Sequence, residues 1–313
     1  MIVTENLTKK FDDFTAVMGV NIQVEAGELL ALLGPNGAGK TTTVRMLTSV
    51  LRPTSGSASV AGFDVMKEAA KVRAVVGVLT EHHGLYNRMR AMEYLMFFGE
   101  IYGMSLEARQ ERAGKMLSDF DLDDAMDKRI GEYSKGMRQK LALGRALLHD
   151  PQVLLLDEPT SAMDPASARL VRDEINKLRS NERAIIICTH NLAEAEELAD
   201  RIAIIRRGKI IANDSPSALK KKMLGPPIYE VRLGESMNGK QPNLPNGVEL
   251  EDMGKDWFRF CSETPNEVNP LVVKKLVKQG FPVVSIQEIS RSIEQVYLQA
   301  VSAPEGEEPI YVS

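Results

Sequence analysis

The run Gly34-Pro35-Asn36-Gly37-Ala38-Gly39-Lys40-Thr41 constrains this chain more than any other feature, because it fits G-x-x-x-x-G-K-[ST] and sits where that pattern has a physical meaning. It follows the apolar stretch Glu28 to Leu33 directly. It also opens a helical pattern, about Gly39 to Leu51, that carries Val44, Leu47 and Leu51 on one face and stops before Pro53. Glycines let the backbone curl so that successive N–H groups point inward, and the helix N-terminus adds its positive dipole end. Such a loop cradles polyphosphate. Lys40 supplies charge for the β- and γ-phosphates, and the Thr41 hydroxyl is a candidate magnesium ligand, with Thr42 next along the same turn. A strand, a loop and a helix in this order call for an α/β core with a P-loop.

The surrounding pattern agrees. Short, continuously apolar runs alternate with helical stretches up to about residue 215, as expected for buried strands of a mostly parallel sheet. Strands are predicted at Gly27 to Leu33, Val75 to Leu79, Gln152 to Leu156, Ala184 to Thr189 and Arg201 to Ile205. Residues 91 to 145 lack strand-like runs and are rich in Met, Leu, Ala, Glu and Arg. They are read as the body of a helical subdomain, about 85–145, with helices at Ala91 to Tyr102 and Ser105 to Phe120. Three consecutive lysines and then Gly225-Pro226-Pro227 mark a helix end and a linker over 216–226.

A small α+β accessory domain is expected over 227–302, in the order βββαβα. Its strands fall at Ile228 to Leu233, Val248 to Asp252, Trp257 to Cys261 and Val283 to Ile289. One helix starts near Thr264-Pro265 and stops at Gly280; a second opens on the capping-box spacing of Ser292 and Gln295. The tail 303–313, with Pro304, Gly306 and three glutamates, is expected to be loose.

Composition matters here for what it excludes. No apolar run exceeds five residues, whereas a membrane span needs roughly 20. No basic segment leads into a signal-like apolar stretch at Met1, so the chain is expected to stay in the cytoplasm. The net charge is −4, with no basic excess before or after residue 215, so no nucleic-acid partner is expected. The two cysteines, Cys188 and Cys261, cannot build a disulfide framework or a thiolate zinc site, and both are read as buried thiols.

A second motif narrows the chemistry. Val153-Leu154-Leu155-Leu156 runs into Asp157-Glu158-Pro159, so a buried strand ends in two adjacent carboxylates where sites in parallel sheets usually lie. Side chains alternate along a strand, which allows Asp157 to reach magnesium while Glu158 faces an attacking water. No Asn-Lys-x-Asp segment for guanine is present, which argues against a GTPase.

Tyr133-Ser134-Lys135-Gly136-Met137-Arg138-Gln139 then opens an apolar helix that runs almost to the Asp-Glu strand. With this segment the sequence, over about residues 1–215, resembles the ATP-binding subunit of ABC transporters, whose LSGGQ signature occupies this place. The resemblance implies that ATP and Mg2+ bind at Gly34 to Thr42, that Phe11 stacks on adenine with Phe14 as rival, and that Thr41, Asp157 and Glu81 attend the metal. It implies a D-loop at Ser161-Ala162-Met163-Asp164, and that Lys40, Glu158 and His190 act in catalysis, with His190 as the switch histidine. It further implies that two copies dock head to tail, Ser134, Lys135, Gly136 and Met137 of each completing the other's site.

Two departures from the family pattern stand out: Glu81 replaces the usual loop glutamine, and Lys135 and Met137 replace glycine and glutamine in the signature. The variant signature, the small C-terminal domain and the segment Ser292 to Leu298 are similar to those of type-2 exporters. That likeness implies a separate transmembrane permease seated around the Glu81 loop and Leu85 to Phe98, and a peripheral location on the inner face of the membrane. The alternative is a soluble ABC ATPase acting on ribosome or nucleic acid. His82 and His83 are left without a role, and His149 is read as a helix-end residue.

Overall fold

The structure, a computed structural model, describes residues 1–80, 84–161, 163–179, 182–237, 239–302 and 311–312. These form two compact units. The first runs from Met1 to Pro216 and takes in Tyr311 and Val312; the second is Ser217 to Ser302.

In the first unit, β1 (Ile2–Phe11) and β2 (Phe14–Val24) make a hairpin, and β3 (Leu29–Leu33) leads into α1 (Lys40–Leu47). Strands β4 (Ser55–Val60) and β5 (Phe63–Asp64) join the hairpin in an antiparallel sheet of order β2-β1-β4-β5. This sheet departs from the expectation of a mostly parallel protein. Val20, Ile22 and Val24 alternate with polar residues, the pattern of a sheet buried on one face, and bulges interrupt the β1–β2 register at Thr4, Leu7 and Lys9. A search for continuous apolar runs passes over such strands. Helix α1 is also shorter than the apolar pattern to Leu51 suggests. It ends at Leu47 because the chain turns left-handed at Ser49 (φ 58°), ahead of Pro53.

Helix α2 (Ala69–Val75) precedes β6 (Val76–Leu79), so the first residue of the predicted strand belongs to the helix. The helical subdomain follows with α3 (Ala91–Ile101), α4 (Leu106–Asp119) and α5 (Lys135–Leu147). Ser105 caps α4 by accepting from Ala108 N–H, and Ser134 caps α5 by accepting from Met137 N–H (both 3.2 Å). Then come β7 (Val153–Asp157), α6 (Pro165–Lys177), β8 (Ala184–Thr189), α7 (Leu192–Leu198), β9 (Arg201–Arg206) and β10 (Lys209–Asp214).

The central sheet has the order β10-β9-β3-β8-β7-β6, parallel except for β10 and for Tyr311–Val312, which pair with it at its outer edge. Its strands are buried on both faces. Leu30, Leu32, Val153, Leu155 and Ile186 pack toward the antiparallel sheet, whereas Leu29, Leu154, Leu156, Ile185 and Ile187 pack with Tyr94, Leu117, Phe120 and Leu143 of the helical subdomain. At about 1.5–3 kcal/mol for each fully buried aliphatic side chain, this two-sided core outweighs any single polar contact in the unit. Cys188 lies in it, and burial beside Asp157 pushes its thiol pKa up.

Tyr311 and Val312, at the end of the segment expected to be loose, pair in parallel with Ala212 and Asn213; the rest of 303–313 lies outside the described residues. Most of the expected linker is helical, as α8 (Pro216–Leu224), which closes at Gly225 (φ 75°).

The second unit carries β11 (Ile228–Leu233), β12 (Leu250–Met253), β13 (Trp257–Cys261), α9 (Pro265–Lys278), β14 (Val283–Glu288) and α10 (Ile293–Ser302), in the sheet order β12-β13-β11-β14. Tyr229, Val231, Phe258 and Phe260 form its core with Val272 and Leu276 of α9. Ser292 and Gln295 make both bonds of the capping box at α10. Cys261 differs from its reading as a buried thiol. It is half-buried and donates to Glu251 (2.8 Å), which with burial raises its pKa to about 11. Among the described residues, no helix of the chain is long and apolar enough to cross a membrane.

Candidate active site

The register of the central sheet builds the site. Leu33 pairs with Thr189 and Asp157 with Cys188, so β3, β7 and β8 stop at one edge and deliver Gly34, Glu158 and His190 side by side. Together these ends line a cleft of about 490 Å³ with Phe14, Ala16, Pro35 to Thr42, Asp157, Glu158, Ser161 and His190.

The loop keeps its shape by backbone packing. A Cβ on Gly34 would fall 2.3 Å from the Ile205 carbonyl, and one on Gly39, whose φ is +110°, 2.6 Å from the Ala16 carbonyl. Only glycine fits at either position. The first helical bond near the loop runs from Thr43 N–H to the Gly39 carbonyl (2.9 Å), so the amides of Lys40, Thr41 and Thr42 precede the ladder and face the cleft end of α1. Lys40 is 6% exposed, and its ammonium donates to the Gly34 and Pro35 carbonyls (2.6 and 3.3 Å) with Glu158 at 3.9 Å. The Thr41 hydroxyl donates to Asp157 Oδ2 (2.7 Å), and His190 Nδ1 donates to Glu158 Oε1 (2.8 Å). The arrangement offers inward amides and one ammonium for phosphates, a paired hydroxyl and carboxylate, and a carboxylate–imidazole pair beside them.

Other predicted residues fall elsewhere. Phe11 and Phe14 are direct cross-strand partners at the hairpin tip, so their rings share a face of the sheet; Phe14 lines the cleft and Phe11 does not. The Phe11 ring instead lies under the Lys9 ammonium, 5.0 Å from its centroid. Ser134, Lys135, Gly136 and Met137 form the start of α5, away from this cleft, with Ser134 and Lys135 exposed. Ser161 reaches the cleft, whereas Asp164 caps α6 by accepting from Ala166 and Ser167 N–H (3.1 and 3.0 Å). Glu81, the third metal candidate, lies outside the described residues together with His82, His83 and Ala162. His149, just past α5, stacks on Tyr102 with centroids 3.8 Å apart, and burial lowers its pKa to about 4, which keeps it neutral at physiological pH.

Two buried polar residues near the site escaped the sequence reading. Glu194, 2% exposed on α7, accepts from the Thr160 and Thr189 hydroxyls (both 2.7 Å) and so ties the β7 exit to the β8 exit; burial raises its pKa. Gln139, 2% exposed on α5, donates to the carbonyls of Glu158 and Pro159 (3.0 Å each). Both look like solvated helix residues in the sequence. Nothing local signals that strand exits will fold onto them.

A family described as ABC transporter matches residues 17–161. The uncharacterized ABC transporter ATP-binding protein YxlF of Bacillus subtilis is 34% identical over 97% of this chain and all of its own length. A Nod factor export ATP-binding protein I of Burkholderia lata is 39% identical over 72% of this chain and 74% of its own. Among solved structures, an ATP binding subunit of an ABC transporter superposes with a TM-score of 0.67 at 26% identity, covering 72% of this chain and 94% of that one. A dimeric post-hydrolysis state of the ATP-binding cassette MJ0796, bound to ADP and Pi, gives 0.64 over 69% and 98% at 24% identity, a likeness of fold.

Proposed function

The chain belongs to the ABC transporter ATP-binding proteins and is an ATPase, and from that premise we propose that it powers export of a substrate through a separate transmembrane permease. The observation that carries this reading is the convergence of Lys40, Asp157, Glu158 and His190 on one cleft, an intact hydrolytic set in place of a degenerate binding site. The relatives' names speak of export and of transporter subunits, and nothing among them supports an ATPase acting on ribosomes or nucleic acid.

In this reading the β- and γ-phosphates take the place of the Gly34 and Pro35 carbonyls as partners of Lys40, with the amides of Gly37 to Thr41 around them. The Thr41 hydroxyl and the Asp157 carboxylate, already in contact, are adjacent hard oxygen donors and would hold Mg2+. When bound, the ion supplies charge neutralisation at the β- and γ-oxygens. Glu158 takes the proton of the attacking water. His190 orients that carboxylate through Nδ1 and leaves the far side of its ring for the γ-phosphate.

Phe11 is the proposed adenine platform, with Phe14 beside it on the same face. Base stacking of about 1–3 kcal/mol corresponds to a loss of roughly 5- to 150-fold on removing the ring. Phe11→Ala is therefore expected to weaken ATP binding in that range and to leave binding of inorganic tripolyphosphate unchanged, both measured by calorimetry. If Phe14→Ala shows that loss and Phe11→Ala does not, the platform is Phe14.

The signature residues Ser134 to Met137 stand outside their own chain's cleft, which supports the proposal that they serve a second copy docked head to tail. ATPase activity is then expected to rise faster than linearly with protein concentration in the dilute range. Strict proportionality from a demonstrated monomer contradicts the shared site.

For the permease, the proposed seat is the rim of the helical subdomain. There a groove of about 740 Å³ is lined by Val50, Ala74, Phe98, Ile101, Tyr102 and His149, and the Phe98 ring packs with exposed Tyr86 and Phe97. Docking there places the chain on the inner face of the membrane through its partner.

A further inference from the structure

We propose that Gln139 is a positioning residue for the Glu158 carboxylate, its buried amide clamping the turn that aims Glu158 into the cleft. The proposal rests on the reading of Glu158 as general base. Glu158 is left-handed (φ 53°), a conformation that a non-glycine residue keeps only where its surroundings enforce it. Three contacts do so. Its N–H donates to the Cys188 carbonyl (2.8 Å), its carbonyl accepts from Ser161 N–H (3.2 Å) in the turn over Pro159 and Thr160, and the Gln139 Nε2 donates to the carbonyls of Glu158 and Pro159 (3.0 Å each).

The first two contacts are backbone bonds, one to the end of β8 and one within the turn, whereas the third is a side chain delivered by a different element. Its orientation is forced: only the NH2 end of an amide can face two carbonyls. Hydrogen-bond satisfaction alone does not require it at Glu158, whose carbonyl already has Ser161 as partner. What Gln139 adds is a cross-tie between α5 and the turn that carries both Glu158 and Ser161. With Gln139 removed, the peptide after Glu158 is free to relax toward ordinary φ, and the carboxylate swings away from the water it must deprotonate. The nucleotide contacts of the Gly34 to Thr42 loop are untouched, so binding and turnover respond differently. The tie also starts only five residues beyond Ser134, so a movement of that end of α5 pulls on the Glu158 backbone.

The test compares Gln139→Glu, which keeps size and loses the donors, with Gln139→Leu, which keeps bulk in an apolar form. Both are expected to bind ATP within about threefold of wild type and to keep KM, while kcat falls tenfold or more. In a Glu158→Gln background, single-turnover hydrolysis of pre-bound ATP is expected to show no further loss, because Gln139 works through that carboxylate. Gln139→Asn, with its donors on a shorter arm, serves with the same expectations where the larger changes do not fold. Turnover within twofold of wild type in the folded variants overturns the proposal, as does a loss that persists undiminished in the Glu158→Gln background. Near-normal turnover of Glu158→Gln by itself overturns the base assignment and this proposal with it, whereas a dead Glu158→Gln beside an active Gln139→Leu sinks this proposal alone.

Discussion

Glu158→Gln is expected to lower ATP hydrolysis by about 10²- to 10⁴-fold, the span of a lost general base, while ATP stays bound. The side chain is 12% exposed and meets His190 at 2.8 Å and Lys40 at 3.9 Å. An amide of the same shape still accepts from His190 and still packs at the cleft wall. What it cannot do is take a proton from water. Because Lys40, the loop amides and the Thr41–Asp157 pair are unaltered, nucleotide affinity survives, and removing one negative charge from beside the γ-phosphate favours retention further. A protein that binds and does not hydrolyse accumulates in the ATP-closed form. The expected result is therefore a dimer by light scattering in ATP and a monomer in ADP. Phosphate release near the wild-type rate removes Glu158 from the base role.

How much of this was legible beforehand depended on whether the determinant was local. The cradle, the two carboxylates and the helical subdomain announce themselves because each is a contiguous run: glycines for a curl, a strand ending in Asp157-Glu158, and a stretch rich in Met, Leu, Ala, Glu and Arg. Even His190 is placed by a single strand end. The antiparallel sheet was not legible in the same way. Its strands are half-polar and bulged, and their identity comes from pairing with other segments, Ile2 with Val24 on one side and with Val60 on the other.

Gln139 and Glu194 were invisible for a stricter reason. In sequence, a polar residue on an amphipathic helix is indistinguishable from a solvated one; only the return of β7 and β8 past α5 and α7 buries these two against strand exits. The Phe11 and Phe14 assignment shows the intermediate case. The pair of aromatics was readable and the choice between them was not, because the two-residue turn makes the rings cross-strand neighbours whichever of them meets the base.

Lys40→Ala is expected to cost roughly a hundredfold in ATP affinity, since a hydrogen bond to a charged group contributes about 1.5–3 kcal/mol and in the proposed site two phosphates share this ammonium. The cleft explains why no neighbour compensates. Among the described residues Lys40 is the one lysine or arginine that lines it, and Asp157 and Glu158 face the same space, so without it the polyanion meets two carboxylates and the loop amides. In the free protein the ammonium is held by the Gly34 and Pro35 carbonyls, which keeps the side chain ordered and pointed along the loop before ligand arrives.

Ligand-induced stabilisation reads the loss directly. At ATP one hundred times the wild-type Kd, binding stabilises the fold by about 2.7 kcal/mol, and a hundredfold weaker site leaves about 0.4 kcal/mol at the same concentration. For a unit of this size each kcal/mol moves Tm by roughly 2–4 °C, so a shift of several degrees in the wild type shrinks to about one degree in the variant. An undiminished shift in Lys40→Ala means that the phosphates are held elsewhere. The same scan with Glu158→Gln separates the two roles, because that variant keeps its full shift while losing turnover.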